Sequence, residues 1–428
     1  MSSTRASLLR LFAILALVGA ATLVAVTRSS ADEPAPGTSA SRAPARETTP
    51  APSRARRRAS VLEGFDPLSH RTEDGVMVSD LPSGSTAVLS LDEGLQSAME
   101  SVFSRYEVPY AGLVAIEPST GRVLAYVSHS SAEPGVTDLA RDAGPPAASV
   151  FKVITSAALL DAGVPPDEEV CYHGGASSIS ASMLDPDPAH DRTCATMSEG
   201  LARSANVVFA RLSDQHLDAA TLGRYASAFG FGEALPFDVP TRVSAFDVPD
   251  ERLERARMAA GFWHTHLSPL HGALIAATIA RGGDMPRASM VDQVIDDHGH
   301  VTYRHEPTVF RSVVGRLTAD RLTEMMTGTV REGTSRRAFR DDRGRPFLPG
   351  IEVAAKTGTL SSERPFRGYT WWVGFAPADA PTIALAVVVI NDPEWRIKAS
   401  DAARFALEHY LITRPAHAAD RAPAPTAW

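Results

Sequence analysis

Lysine is nearly missing from this chain. Of its 42 lysine and arginine residues, three are lysines: Lys152, Lys356 and Lys398. Where a cation need only be a solvated charge, the sequence writes arginine. Arginine stays protonated inside a protein, whereas a buried lysine sheds its proton readily and can act as a base. The retained lysines therefore mark places where that property is wanted. Asparagine is as scarce, with Asn206 and Asn391 alone. Cysteine is confined to Cys171 and Cys194, neither placed for lipidation behind the N-terminal apolar run. A net charge of −8 gives no ground for a nucleic-acid partner. No internal repeat is visible.

Near the N-terminus, Arg5 and Arg10 precede a charge-free stretch from Leu11 to Val26, and Arg28 closes it. With Leu8 and Leu9 the run approaches the ~17–25 residues that span a bilayer. Residues 1–27 are expected to form a single-pass membrane anchor, or a signal segment cleaved at Ser29-Ser30-Ala31. Either would place the rest outside the cytoplasm. Residues 28–60 are Pro, Ala, Ser, Thr and Arg, too poor in apolar side chains to offset their ordering entropy, and read as a disordered tether. The cluster Arg54-Ala55-Arg56-Arg57-Arg58 reads as a solvated charge run, or as a contact for acidic envelope polymer or lipid headgroups. Residues 61–85 read as a short lead-in, 86–412 as the domain, and 413–428 as a disordered tail. The foldable part, roughly 330 residues, suffices for one large core. For the two cysteines a disulfide comes first in an oxidising compartment. Cys171-x-His173 with His190-x-x-x-Cys194 offers zinc instead, and free thiols are the third option.

Apolar spacing predicts a helix over Ser90–Tyr106. Gly112–Ile116 and Arg122–Val127 predict a hairpin around Glu117-Pro118-Ser119-Thr120-Gly121. Thr370–Phe375 and Thr382–Ile390 form a second strand pair, and Asp401–Tyr410 a closing helix. Strands at both ends with helices between predict an α+β fold: an antiparallel sheet covered by helices, plus an all-helical subdomain.

Two lysines fall in short motifs. Ser149-Val150-Phe151-Lys152 opens a predicted helix, so Ser149 and Lys152 project from one face within reach of each other. At the helix start the serine gains partial positive charge where an oxyanion would form. A lysine buried among apolar neighbours can take the serine proton. Ser204-Ala205-Asn206 lies between helical stretches Met197–Arg203 and Val207–Asp214. Its hydroxyl can pass a proton from Lys152 to a leaving group, and its amide can donate and accept. Lys356-Thr357-Gly358-Thr359 follows a predicted strand over Ile351–Ala355. There the cation and hydroxyls can grip a carboxylate, and Gly358 leaves room for substrate along the strand edge. The backbone N–H groups of Ser149 and Thr359 suit an oxyanion hole.

This order of motifs resembles the transpeptidase domain of penicillin-binding proteins, from about Ser85 to Leu411. Ala115 to Gly121, Pro146 to Ser149, Ser268-Pro269-Leu270, Arg331 to Thr334 and Val373 to Pro377 resemble further landmarks of that family. The resemblance implies Ser149 as nucleophile, Lys152 as base, Ser204 and Asn206 as proton relay and substrate contact, and Lys356, Thr357 and Thr359 as carboxylate-binding residues. It implies a D-Ala-D-Ala peptidoglycan stem peptide as donor, an amine of a neighbouring stem as acceptor, and β-lactams as covalent inhibitors. It calls for no cofactor and no metal. Neither a glycosyltransferase domain nor a long pedestal domain is expected ahead of this one, and the Cys171/Cys194 segment departs from the family pattern.

Three alternatives share the motifs: a D,D-carboxypeptidase, a serine β-lactamase, and a β-lactam or peptidoglycan sensor that stays acylated. Against a lactamase, no asparagine stands between Asn206 and Lys356 to help hold a deacylating water, and no Tyr-Gly-Asn occurs. Against a sensor, no multi-span signalling segment is present. His264, His266 and His271 are expected in a packed segment, and His298 and His300 in a hairpin turn between strands Val291–Ile295 and Val301–Tyr303. Trp371 and Trp372 alternate on a strand, one expected in the core and the other on a cleft wall.

Overall fold

The computed structural model of the protein describes residues 58, 60–133, 135–136, 138–175 and 178–414. The expected anchor (1–27), nearly all of the tether (28–60) and all but the start of the tail (413–428) lie outside the described residues.

The two predicted strand pairs lie side by side in one antiparallel sheet. Its order is Ala354–Glu363, Phe366–Ala376, Ile383–Asn391, Tyr110–Ile116, Val123–Ser130. The central strand Ile383–Asn391 is buried at every position, because both faces of the sheet are covered. That explains its continuous apolar run, which lacks the alternation of a half-exposed strand. One face packs against helices Glu93–Arg105 and Ala399–Glu408. The other packs against Pro269–Ala280 and Arg316–Arg331, with Lys152–Asp161 and Asn206–His216 beyond them in the same core. Pro269–Ala280 is buried from Pro269 to Ile279, as a helix apolar all round must be.

This layering corrects the expectation for the tandem tryptophans. Trp371 joins the core on the catalytic side and Trp372 the core on the opposite side, at 1% and 0% exposure. Their strand is second from the sheet edge and covered on both faces, so neither ring walls a cleft.

A second five-stranded sheet was legible in the sequence only as its last hairpin. It runs Arg71–Glu73, Val76–Asp80, Thr86–Leu89, Val291–Ile295, Val301–Arg304. Residues 61–85, expected as a lead-in, supply two of its strands. The His298/His300 turn joins the last two strands, as expected. Arg58, read as the end of a solvated charge run, instead pairs with the fully buried carboxylate of Asp238.

Cys171 and Cys194 face each other across the hairpin Glu169–Tyr172/Thr193–Thr196 and are joined as a disulfide. The zinc and free-thiol options are thereby excluded: the one metal-spaced group among the described residues is Glu169, Cys171 and Cys194, whose sulfurs are bonded to each other. Buried Arg211 fastens this insert. It donates to the carbonyls of Met183, Cys171 and Asp185 and pairs with Asp191.

Candidate active site

Ser149 stands in a single 3-10 turn, Ala148–Phe151, that runs directly into the helix Lys152–Asp161. Ala148, just before it, adopts φ 50°, a left-handed conformation that non-glycine residues rarely take. Such strain persists only where surrounding contacts hold it. Here they are visible. Ala147 N–H donates to Thr265 O at 3.0 Å, and the Trp371 indole donates to Pro146 O at 2.8 Å. Gly261 presses on the turn from above: a Cβ there would lie 2.5 Å from Ala148 O and 2.7 Å from Ser149 Cα.

Lys152 is fully buried. Its Nζ has three oxygen neighbours: Ser149 Oγ at 2.8 Å, Asn206 Oδ1 at 2.8 Å and the Ala260 carbonyl at 2.5 Å. The last two only accept. A neutral amine has two hydrogens and one lone pair, so both hydrogens are taken and the lone pair is left facing the serine hydroxyl. The Asn206 amide is oriented by its other end, where Nδ2 donates to Gly175 O at 3.3 Å. Burial first, and the nearby Lys356 cation second, hold Lys152 well below the ordinary lysine range.

Ser204 ends the helix Met197–Arg203 in a left-handed conformation, φ 59°. This bend separates it from the next helix, which begins at Asn206, so the motif sits on an interhelical corner. Ser204 Oγ accepts from Lys356 Nζ at 3.0 Å, and Lys356 also donates to Thr357 O at 2.7 Å. Lys356 is fully buried too, and burial lowers it to about 7.

The lysine strand is Ala354–Glu363; Ile351–Val353, predicted with it, precede the strand. It forms the sheet edge. Gly358 has a duty the sequence did not suggest. A Cβ there would lie 3.1 Å from Ala148 Cβ, 3.2 Å from Trp371 Cβ and 3.3 Å from Ala147 O. The missing side chain admits the nucleophile's turn. Thr359 is exposed and Thr357 half-buried along this edge.

Sequence reasoning missed three supports. Ala260 O and Gly261 follow the helix Arg252–Ala259 and carry no motif. Thr334, noted only as a landmark, brings its hydroxyl 2.5 Å from that of Thr357. Its backbone N–H donates to Ala202 O at 3.1 Å, and a Cβ on Gly333 would lie 2.1 Å from the same carbonyl. This turn clamps the Ser204 corner to the lysine strand. The histidines diverge to separate partners: His264 to Glu254, His266 to Gly144 O and His271 to Phe229 O.

The geometry brings a serine hydroxyl, a buried lysine and a lysine-bearing strand edge together around one cleft. The model of the penicillin binding protein transpeptidase domain matches residues 111–407, and the chain belongs to this family. Peptidoglycan D,D-transpeptidase PbpA of Mycobacterium tuberculosis is 30% identical over 316 residues, covering 65% of this chain and 61% of the relative. This chain therefore matches less than two thirds of that relative's length. PbpA of Mycolicibacterium smegmatis is 27% identical, over 77% of this chain and 72% of its own. Among solved structures, penicillin-binding protein A of M. tuberculosis, as a ceftriaxone acyl-enzyme complex, superposes with TM-score 0.65 at 25% identity. That match covers 77% of this chain and 81% of the other.

Proposed function

We propose that the protein is a serine D,D-transpeptidase that cross-links peptidoglycan stem peptides and is acylated by β-lactams. The observation that carries this is the setting of the buried Lys152 Nζ, 2.8 Å from Ser149 Oγ and beside two oxygens that only accept, Asn206 Oδ1 and Ala260 O. The donor peptide lies along the open edge of the lysine strand. Its terminal carboxylate meets Thr357, Thr359 and the Lys356 charge. Lys152 Nζ takes the proton as Ser149 Oγ bonds to the penultimate D-Ala carbonyl carbon. The oxyanion is received by the N–H groups of Ser149 and Thr359, a pairing supported by the tight packing of Gly358 on Ala148. The C–N bond then breaks, and the departing D-Ala amine takes a proton by way of Ser204. In the second half, an acceptor amine attacks the ester and the proton returns to Ser149 Oγ. The sequence supports a site outside the cytoplasm behind a 1–27 anchor, and the disulfide fits that compartment. Among the described residues no helix is long and apolar enough to cross a membrane; the Leu11–Val26 run lies outside them.

Incubation with a bisacyl stem peptide and an amine acceptor tests this. Cross-linked dimer formed by the wild type and absent in Ser149→Ala supports the proposal. Release of D-Ala with no dimer at any acceptor concentration reassigns the protein as a carboxypeptidase.

A further inference from the structure

The arginine cluster ahead of the domain has no place in the chemistry above. Its last member, Arg58, lies on the wall of a cavity of 820 Å³ that no catalytic residue lines. The edge strand of the second sheet, Val301–Arg304, contributes Tyr303 and Arg304 to this cavity. Arg287, His305 and Phe310 complete the part that matters here. The walls are fixed. Arg58 is held by the buried Asp238, and Arg287 N–H donates to Thr308 O at 3.0 Å. His305 donates through its backbone to Asp292 O at 2.8 Å and through its ring to Thr120 O at 3.1 Å. Positive charge gathers in this setting. Among the described residues neither Arg287 nor Arg304 has a carboxylate partner, and Glu306 is the one acid on the lining. Arg287 stands 6.0 Å over the Phe310 ring. Burial first, and the Arg58 charge second, hold Arg287 below its ordinary value. The sequence adds three more cations, Arg54, Arg56 and Arg57, directly before Arg58. At ~3.3–3.6 Å per residue, the backbone of Arg54 can lie no farther than roughly 14 Å from that of Arg58. The whole chain carries −8, so attraction for an anion is confined to this patch.

We propose that this cavity, with the arginines leading into it, binds a linear polyanion of the cell envelope, a chain of repeating phosphodiesters. From the preceding section the inference takes only that this face lies outside the cytoplasm. The choice of a chain follows from the layout. Six arginines run from the tether into a concavity, which suits a slender polymer with one charge at each repeat. Their guanidinium forks match the paired oxygens of a phosphodiester. The cavity volume lies within the ~300–1,000 Å³ of small-ligand sites, room for a few repeats. A bilayer is the other source of phosphodiesters, and two features speak against it. A headgroup-binding cluster belongs beside the apolar run, whereas Arg54 stands 26 positions beyond Arg28 (54 − 28). A flat layer of headgroups also does not enter a cavity. Binding here would hold the domain on the polymer and leave Ser149 free to react.

The test titrates the full-length protein, in the presence of neutral phosphatidylcholine vesicles, with a fluorescent oligomer of poly(glycerol phosphate) and follows its anisotropy. Wild type is expected to bind, with affinity falling as salt rises. Arg287→Gln/Arg304→Gln is expected to weaken binding about tenfold or more. Acylation of Ser149 by a fluorescent penicillin should stay within about twofold in that variant. Arg192→Gln/Arg343→Gln removes the same charge from exposed positions outside the cavity. It is expected to change the affinity by less than about twofold. Equal weakening by both pairs, or none by the first, overturns the proposal. Should the first pair fail to fold, Arg304→Gln alone, at an exposed position, must weaken binding several-fold or the proposal falls. Hydrogen exchange separates the two sources of phosphodiester. Slower exchange in residues 301–310 on adding the oligomer beside neutral vesicles supports the polymer. Slower exchange there with phosphatidylglycerol vesicles, and no effect of the oligomer, assigns the cavity to lipid and overturns the proposal. Neither readout depends on which acceptor takes the acyl group, so the transpeptidase assignment stands or falls separately.

Discussion

The two sides of the cleft each bury a lysine completely, and to opposite ends. On the helix side, Lys152 meets two obligate acceptors and the serine hydroxyl. On the strand side, Lys356 meets a hydroxyl and its neighbour's carbonyl. Burial depresses both, but Lys152 also feels the Lys356 charge. The helix-side lysine is thus the readier of the two to give up its proton. In the proposed mechanism the same residue type supplies a base and an anchoring cation, 204 positions apart in the sequence. Which role each plays is set by the neighbours.

The largest effect should come from breaking the helix side. Ser149→Ala is expected to abolish labelling by a fluorescent penicillin, and Lys152→Ala to slow acylation by about 10²–10⁴. Lys152→Arg should not rescue it, because a guanidinium cannot give up its proton. Lys356→Met, on the strand side, should lower acylation kcat/KM by about 10² through loss of carboxylate and oxyanion-side charge. It should also raise stability below about pH 7, as thermal unfolding would show. Lys356 is depressed from 10.5 to about 7 on folding, so the unfolded chain binds more protons between those values. Burying the charge costs most below the folded value, and that penalty is relieved as pH rises towards 10.5.

Cys171→Ser/Cys194→Ser removes a cross-link worth about 3 kcal/mol in the chain-entropy model. It should also slow acylation several-fold, since the insert presents Gly175 O to Asn206. Denaturant midpoints and labelling rates separate the two effects. The smallest change expected is Gly358→Ala, whose Cβ would be only a few tenths of an ångström too close to its neighbours. A loss of about 1 kcal/mol, with slower acylation at unchanged D-Ala-side affinity, would show that the strand's approach to Ala148 sets the reaction geometry.

The motifs made the chemistry legible because Ser149 and Lys152 are local neighbours on one turn, and the Ser204 corner and lysine strand carry distinctive residues. The helix and strand pairs of the main sheet were legible from apolar runs. Of the second sheet only the Val291–Ile295/Val301–Arg304 hairpin was: its other strands are three to five residues long, and Thr86–Leu89 finds its partner some 200 positions away, at Val291–Ile295. Ala260 and Gly261 escaped notice because one acts through a backbone carbonyl and the other through a missing Cβ. Neither duty leaves a side-chain signature. Asn391, the other rare asparagine, proves structural, since its amide clips the Arg396–Ile397 backbone.

The account stands or falls on a neutral Lys152 facing Ser149. Its most direct test is the second-order rate of Ser149 acylation by a fluorescent penicillin, measured from about pH 5 to 10. The rate should climb through an ionisation well below the ordinary lysine value, and in Lys152→Ala it should fall by about 10²–10⁴ and lose that ionisation. A rate that rises only near pH 10.5, the unperturbed lysine value, or is unchanged without Lys152, would contradict it.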